Sequence, residues 1–411
     1  MRYVIIGASA AGLTAAKTLR QWEPDGEITV ISIDTKVHSR CMLHLYLSGE
    51  RTAEEINFVP ESFFTANRIK WLAGEEVVKV DTQENQVWLA CGAFVPYDRL
   101  LIATGAQYVI PPIPGFREGK NVFGLRDLSD AEKISAQAAP GKTCVIVGSG
   151  LVGLDAANAL CARGMTCSIV EMADRLSPLQ LDDKAAKPYQ ALFEKAGCTF
   201  YLSEKAAAAN LNEAGEVTSV SLASGKELPC DFLVVAAGVR PRIGFLEGSG
   251  IATDRAVQVD DCLRTSVPNV WAAGDVAGIS GIWPNAMEQG EVAAKNMCGV
   301  EVPYDNRYGI KNTMNFYGLT TLSLGVNTPQ EGDQVFTQES KDSYRRVVLR
   351  DDVVTNVLFQ GEIGNTGFWQ ELVKHQVPLT GIRKSVFDLS YADFYRFDPK
   401  HGLYQWAHDQ A

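Results

Sequence analysis

A chain of 411 residues is long enough for two or three domains with large cores. Its 46% hydrophobic and 21% charged residues are ordinary for a globular protein, and a formal net charge of −11 argues against nonspecific nucleic-acid binding and docking on anionic lipid. No apolar run approaches the roughly 20 residues of a membrane span, and the N-terminus enters a strand without a signal-peptide cleavage region, so a soluble cytoplasmic protein is expected.

The first element is the apolar run Val4-Ile5-Ile6, suited to a strand buried on both faces. Gly7-Ala8-Ser9-Ala10-Ala11-Gly12 follows, and then a helix from Leu13 to Leu19. This is the strand–turn–helix of a dinucleotide site with Ser9 in place of the middle glycine. The helix start offers free N–H groups and a positive dipole end to a pyrophosphate. A second strand, Ile28 to Ser32, leads to Asp34, slightly late for the ribose-binding acid expected about 20 residues on. Ser32 is the alternative for that role.

Leu100 to Ala106 is a buried strand breaking at Ala103-Thr104-Gly105. The strand Thr143–Val147 then runs into Gly148-Ser149-Gly150-Leu151-Val152-Gly153, with all three glycines present. A helix from Leu154 to Ala162 and a strand from Thr166 to Val170 come next, ending at Glu171. That carboxylate can accept from both ribose hydroxyls of NAD and would repel the 2′-phosphate of NADP, although Arg175 nearby softens the preference. A plain surface acid at a strand end is the competing reading. Phe232 to Pro241, carrying Gly238, and Val270 to Asp275, carrying Gly274, are two more apolar strands ending in glycine. A helix around Asn285-Ala286-Met287-Glu288-Gln289-Gly290 follows.

From about Tyr308 the pattern becomes alternating strands, at Thr320–Leu324, Tyr344–Leu349 and Val353–Phe359, with a helix from Asn365 to His375. The tail from Phe387 to Phe397, with Tyr404 and Trp406, is rich in aromatics; it either packs on its own domain or forms a docking strip. The nine cysteines form no CxxC pair, so no metal or cluster site and no disulfide framework is expected.

The ordered set of four motifs over residues 1 to about 310 resembles the two-dinucleotide-binding-domain flavoproteins, the pyridine nucleotide–disulfide oxidoreductase class. The resemblance implies an α/β fold with two Rossmann-like, glutathione-reductase-like domains and a C-terminal α+β domain. It places an FAD-binding domain at 1–115 and 246–308, an NAD-binding domain at 116–245, and an interface domain at 309–411. It implies that Ala103, Thr104, Gly105, Gly274 and Asp275 close the FAD site, with Asp275 on the ribityl chain, and counts Gly238 among the cofactor-binding residues. The helix bearing Ala286 would then point its N-terminus at the flavin.

In such enzymes the segment Val37–Leu47 passes beside the flavin. It lacks the CxxxxC redox pair, because Tyr46 stands where a second thiol would be. A lone Cys41 resembles NADH oxidases and peroxidases, whereas Ser39-Arg40-Cys41-Met42-Leu43 looks closer to NADH-dependent rubredoxin and nitrite reductases, where Arg40 would sit near the FAD. Cys41 is either a redox thiol, with its pKa lowered by Arg40 and a helix start, or a bystander. Asp155 stands where the family usually has a glutamate that positions the nicotinamide; a first-turn helix acid is the plain alternative. His38 and His44 are expected to be structural or solvent-facing. Lys311, Asn312, Met314, Asn315 and Phe316 are placed by the resemblance near the flavin edge.

The expectation is thus an FAD-dependent NADH:acceptor oxidoreductase. Its acceptor is an iron–sulfur or rubredoxin-type protein or partner subunit, the tail being similar to flavoprotein subunits of complexes such as phenylglyoxylate dehydrogenase. A homodimer is a further expectation. The alternatives are an NADH oxidase or peroxidase using Cys41 or an open flavin face, and a noncatalytic NAD-sensing flavoprotein.

Overall fold

The Val4–Ile6 run lies in the middle strand of a five-stranded parallel sheet. The computed structural model describes residues 1–382, 384–400 and 402–406, and these cluster into two units. The first comprises Met1–Val170 and Glu204–Asp305; the second comprises Glu171–Ser203 and Asn306–Ala411. In the first unit the strands run in the order Val270–Ala272, Arg99–Ile102, Arg2–Ile6, Glu27–Ser32, Ile69–Ala73. All four pairings are parallel. Buried on both faces, such a sheet needs apolar side chains at successive positions, and Val4, Ile5 and Ile6 supply them. Each buried aliphatic side chain of this kind stabilises the fold by roughly 1.5–3 kcal/mol.

The helices Ala10–Trp22 and Trp283–Met297 cover one face together. Their approach is close enough that a Cβ on Gly290 would lie 2.2 Å from the Ala11 carbonyl oxygen, so a glycine is required there. The same unit holds a second parallel array: Thr166–Val170, Thr143–Val147, Phe232–Val235 and Val122–Phe123. The Leu151–Ala162 helix makes the crossover from Thr143–Val147 to Thr166–Val170. Ala106–Tyr108 and Val239–Pro241 pair as a short antiparallel ribbon, extended by the Val109 N–H bond to the Gly238 carbonyl at 3.0 Å.

Both dinucleotide-type helices begin three residues earlier than the pattern suggests, at Ala10 and Leu151. Gly12 and Gly153 therefore lie inside the first helical turn, where their missing side chains allow close contact with the turn itself.

The second unit contains a wholly antiparallel sheet, in the order Lys311–Phe316, Leu319–Gly325, Val353–Gln360, Tyr344–Arg350, Gln334–Glu339. The Thr366–Lys374 helix buries Phe368, Trp369, Leu372 and Val373 in its core, a helical stripe. A further helix, Asp183–Lys195, was not read from the sequence and carries Pro188 inside it. Asp182 caps it by accepting from the Ala185 N–H, and also accepts from Tyr344 Oη at 2.7 Å and Arg346 at 3.0 Å. The aromatic tail faces both ways: Leu389, Phe394 and Trp406 are buried in this core, while Tyr391, Tyr395 and Phe397 are exposed. Among the described residues no helix is long and apolar enough to cross a membrane.

Candidate functional site

The two glycine turns have the same construction. Gly7 donates to the Ile31 carbonyl at 2.7 Å and Gly148 to the Val170 carbonyl at 2.9 Å. A Cβ on Gly12 would lie 1.9 Å from the Gly7 oxygen, and one on Gly153 would lie 2.0 Å from the Gly148 oxygen. Gly150 differs, since a Cβ there would meet nothing within 4 Å and its φ is −66°. Protein packing does not require that glycine, whereas the close approach of a pyrophosphate does. Ser9 and Gly150 are extended N-caps, and neither helix start has a side-chain cap, so N–H groups at both are available to an anion. Ala10 and Ala11 are buried in the first of these turns, and Val152 is exposed in the second. The residues fit two dinucleotides.

Three arginines and three acids gather beside the first turn. Arg40 pairs with Asp127 at 2.6 Å and with Asp34 at 3.3 Å, and Arg242 holds the other Asp127 oxygen at 2.9 Å. Burial works against the Asp127 charge, but Arg40 and Arg242 outweigh it and hold the carboxyl below its usual range. His38 is buried beneath them. Its Nδ1 donates to the Lys36 carbonyl, and its Nε2 accepts from the Leu128 N–H at 3.2 Å, which fixes a neutral tautomer. Burial, and then Arg40, push its pKa down. Ligand atoms of Asp34, His38 and Asp127 lie within 4.8 Å of one another, but Arg40 bridges both acids, so the cluster is an ion-pair network rather than a cation site. Ser32 is buried, with its hydroxyl donating to the Asp34 carbonyl and accepting from Trp71 Nε1.

Arg126 forms an ion pair with Asp275 and also donates to the Ala106 carbonyl at 3.2 Å. The buried Gln289 accepts from the Gly274 N–H at 2.8 Å and so fixes the turn that aims Asp275. A Cβ on Gly274 would lie 3.3 Å from the Ala11 Cβ and 3.8 Å from the Ala286 Cβ, so the fold brings these motifs together. Thr104 donates to the Arg242 carbonyl, and the Arg242 N–H bonds to the Gly105 carbonyl, joining the segments that carry Gly105 and Gly238. Arg126, Asp127, Arg242 and Gln289 were missed by the sequence reading. The one available signal was Asp127-x-x-Asp130, a capping box whose Asp130 carboxylate accepts from the Asp127 N–H at 3.0 Å.

Cys41 is an exposed free thiol. The expected lowering of its pKa is reversed. The surrounding protein desolvates the thiolate and the Asp155 carboxylate repels it, and together they outweigh Arg126 and Arg40, so the pKa is raised. The six-residue helix Leu43–Ser48 that follows does not overcome this. Asp155 lies on the Leu151–Ala162 helix, and its Oδ2 is 3.8 Å from Nδ1 of His44, which is therefore turned toward an acid. Burial pushes Asp155 up to about 7.

Glu171 belongs to the second unit. Its N–H donates to the Tyr201 carbonyl, and its Oε1 accepts from the Ala173 N–H at 2.9 Å. Arg175 is engaged by the Leu181 carbonyl at 3.1 Å, Asp174 at 2.9 Å and Asp183 at 3.4 Å. Lys311, Asn312, Met314, Asn315 and Phe316 form the edge strand of the second unit's sheet.

The pyridine nucleotide-disulphide oxidoreductase family matches residues 1–290. The NADH-dependent phenylglyoxylate dehydrogenase subunit epsilon of Aromatoleum evansii is 32% identical over 396 residues, covering 93% of each chain. An NADH oxidase of Methanocaldococcus jannaschii is 33% identical over 324 residues, covering 74% of this chain and 71% of the oxidase. A crystal structure of a ferredoxin reductase from Rhodopseudomonas palustris superposes with a TM-score of 0.82 at 26% identity, covering 89% of this chain and 93% of that one.

Proposed function

Because the chain belongs to the pyridine nucleotide-disulphide oxidoreductase family, an FAD- and NAD-dependent oxidoreductase family, we propose that it moves electrons between NADH and an iron–sulfur or rubredoxin-type protein held as a partner subunit. The observation that carries this is the pair of glycine turns with uncapped helix starts in one unit, one of them open at Gly150. Gly7 to Gly12, Arg40, Arg126 and Asp275 would hold FAD, which would supply the conversion of a two-electron hydride into single electrons. The Gly148–Gly153 turn binds the NADH pyrophosphate, and Glu171 takes the ribose. Residues 1–115 and 246–308 form the FAD domain, 116–245 the NAD domain and 309–411 the interface domain, through which a homodimer or the partner subunit is held. The exposed rings of Tyr391, Tyr395 and Phe397 suit such an interface. A cytoplasmic location completes the reading.

A second reading, an NADH oxidase, is favoured by the exposure of Cys41, but the raised thiol pKa disfavours a reactive thiolate. Anaerobic stopped-flow reduction by NADH, followed by mixing with oxygen or a one-electron acceptor, separates the two. Fast one-electron transfer with slow reoxidation by oxygen, unchanged in Cys41→Ser, supports the first. Fast stoichiometric reoxidation by oxygen that is lost in Cys41→Ser overturns it.

A further inference from the structure

We infer that Asp155 and His44 form a proton relay that carries away the proton left when the two electrons of a hydride depart singly. The inference rests on the reading proposed above. A hydride brings two electrons and one proton; two one-electron transfers to an iron–sulfur acceptor remove the electrons and leave the proton. The N–H bond that would hold this proton on the reduced carrier breaks as an O–H bond to the Asp155 carboxylate forms; that O–H breaks as the His44 imidazole gains an N–H, and the imidazolium then gives the proton up to solvent water.

The placement supports this route. Asp155 sits on the Leu151–Ala162 helix that follows the second glycine turn, and His44 sits on the Leu43–Ser48 helix packed against it. The 3.8 Å between Oδ2 and Nδ1 is a distance that one water can bridge. Both side chains are about one-quarter to one-third exposed, so the pair has a path to solvent. The short helix Arg40–Met42 runs directly into the Leu43–Ser48 helix, so His44 stands four residues from the Arg40 of the proposed FAD site.

Burial pushes the Asp155 carboxyl up to about 7, so it accepts and releases protons near neutrality. Burial lowers the His44 pKa, with Glu50 opposing, so the imidazole holds a proton less tightly than Asp155 does; the step from Asp155 to His44 runs uphill and is drawn forward by release to solvent. The Cys41 thiol stays protonated and does not compete.

The test combines proton and electron readouts on the flavin-loaded protein. The enzyme is reduced with NADH and mixed with ferricyanide and a pH indicator. In the wild type the proton should appear in step with reoxidation, with a rate profile that inflects near 7. Asp155→Asn should slow reoxidation roughly a hundred-fold and abolish the inflection, and Asp155→Glu should restore both. His44→Gln should delay proton appearance and shift the Asp155 carboxyl titration seen by carbon-13 NMR. Flavin absorption and the thermal midpoint check that each variant is folded. An Asp155 carboxyl titrating in the ordinary carboxylate range, or both variants matching the wild-type profile while NADH still bleaches the flavin, overturns the relay alone. No bleaching by NADH overturns the functional reading and the relay with it.

Discussion

Arg126 and Asp275 are ion-paired although 149 positions separate them in the chain. Each side chain is about one-fifth exposed, so the pair lies where water only partly screens it. Arg126→Ala leaves the carboxylate without its counter-charge, which should cost about 1–3 kcal/mol in denaturant unfolding. It should also lower the flavin-to-protein ratio after gel filtration. Arg126→Lys should recover only part of either loss, because an ammonium cannot reproduce the guanidinium fork.

Gly153→Ala and Gly150→Ala should separate packing from ligand approach. The first places a methyl 2.0 Å from the Gly148 carbonyl oxygen, and the second places one in open space. Gly153→Ala should therefore melt several degrees lower. Gly150→Ala should melt as the wild type does, yet bind NADH at least ten-fold more weakly, by roughly 1.4 kcal/mol. Equal NADH affinities for Gly150→Ala and wild type would remove the pyrophosphate from that turn.

Glu171 should set the choice of nicotinamide cofactor. Glu171→Ala should raise the KM for NADH roughly ten- to hundred-fold, the loss of two hydrogen bonds to a charged acceptor. It should not create good NADPH turnover, because Arg175 is already engaged by Asp174, Asp183 and the Leu181 carbonyl. Steady-state kcat/KM for both cofactors checks this, and efficient NADPH use by Glu171→Ala would show that Arg175 is free to turn.

Asp155 also makes a stability prediction. Its carboxyl is raised from 3.8 to about 7 on folding, so between those values the folded state holds more protons than the unfolded chain. Its contribution to stability therefore declines as pH rises through that window, and the penalty is complete above it. Asp155→Asn carries no such term. Thermal melts should coincide for variant and wild type near pH 4, with the variant melting higher at pH 8. Parallel curves across the range would contradict the raised carboxyl.

The strand–turn–helix at Val4 to Leu19 was legible because its signals are local: an apolar run, a glycine turn and a helical stripe within one short window. The Arg40–Asp127–Arg242 network was not, because its members lie 87 and 115 positions apart and meet only in the tertiary fold. Cys41 shows the same limit. Its neighbour Arg40 is visible in the sequence and argues for a lowered pKa, whereas the desolvation and the opposing Asp155 arrive with the tertiary fold. The Asp183–Lys195 helix was not read from the sequence either. Pro188 reads as a breaker, yet the Asp182 cap and the buried Ala185, Ala186, Tyr189 and Phe193 sustain the helix around it.

The ribbon of Ala106–Tyr108 against Val239–Pro241 has an architectural consequence. The chain leaves the first parallel sheet and returns to it along two strands that lie side by side, so the two ends of the stretch between them are held within one hydrogen-bonded pair. That stretch is also stitched to the rest of the first unit by Arg126 to Asp275 and Asp127 to Arg40. Exchanging it for a foreign segment would therefore mean rebuilding those ion pairs as well as the ribbon.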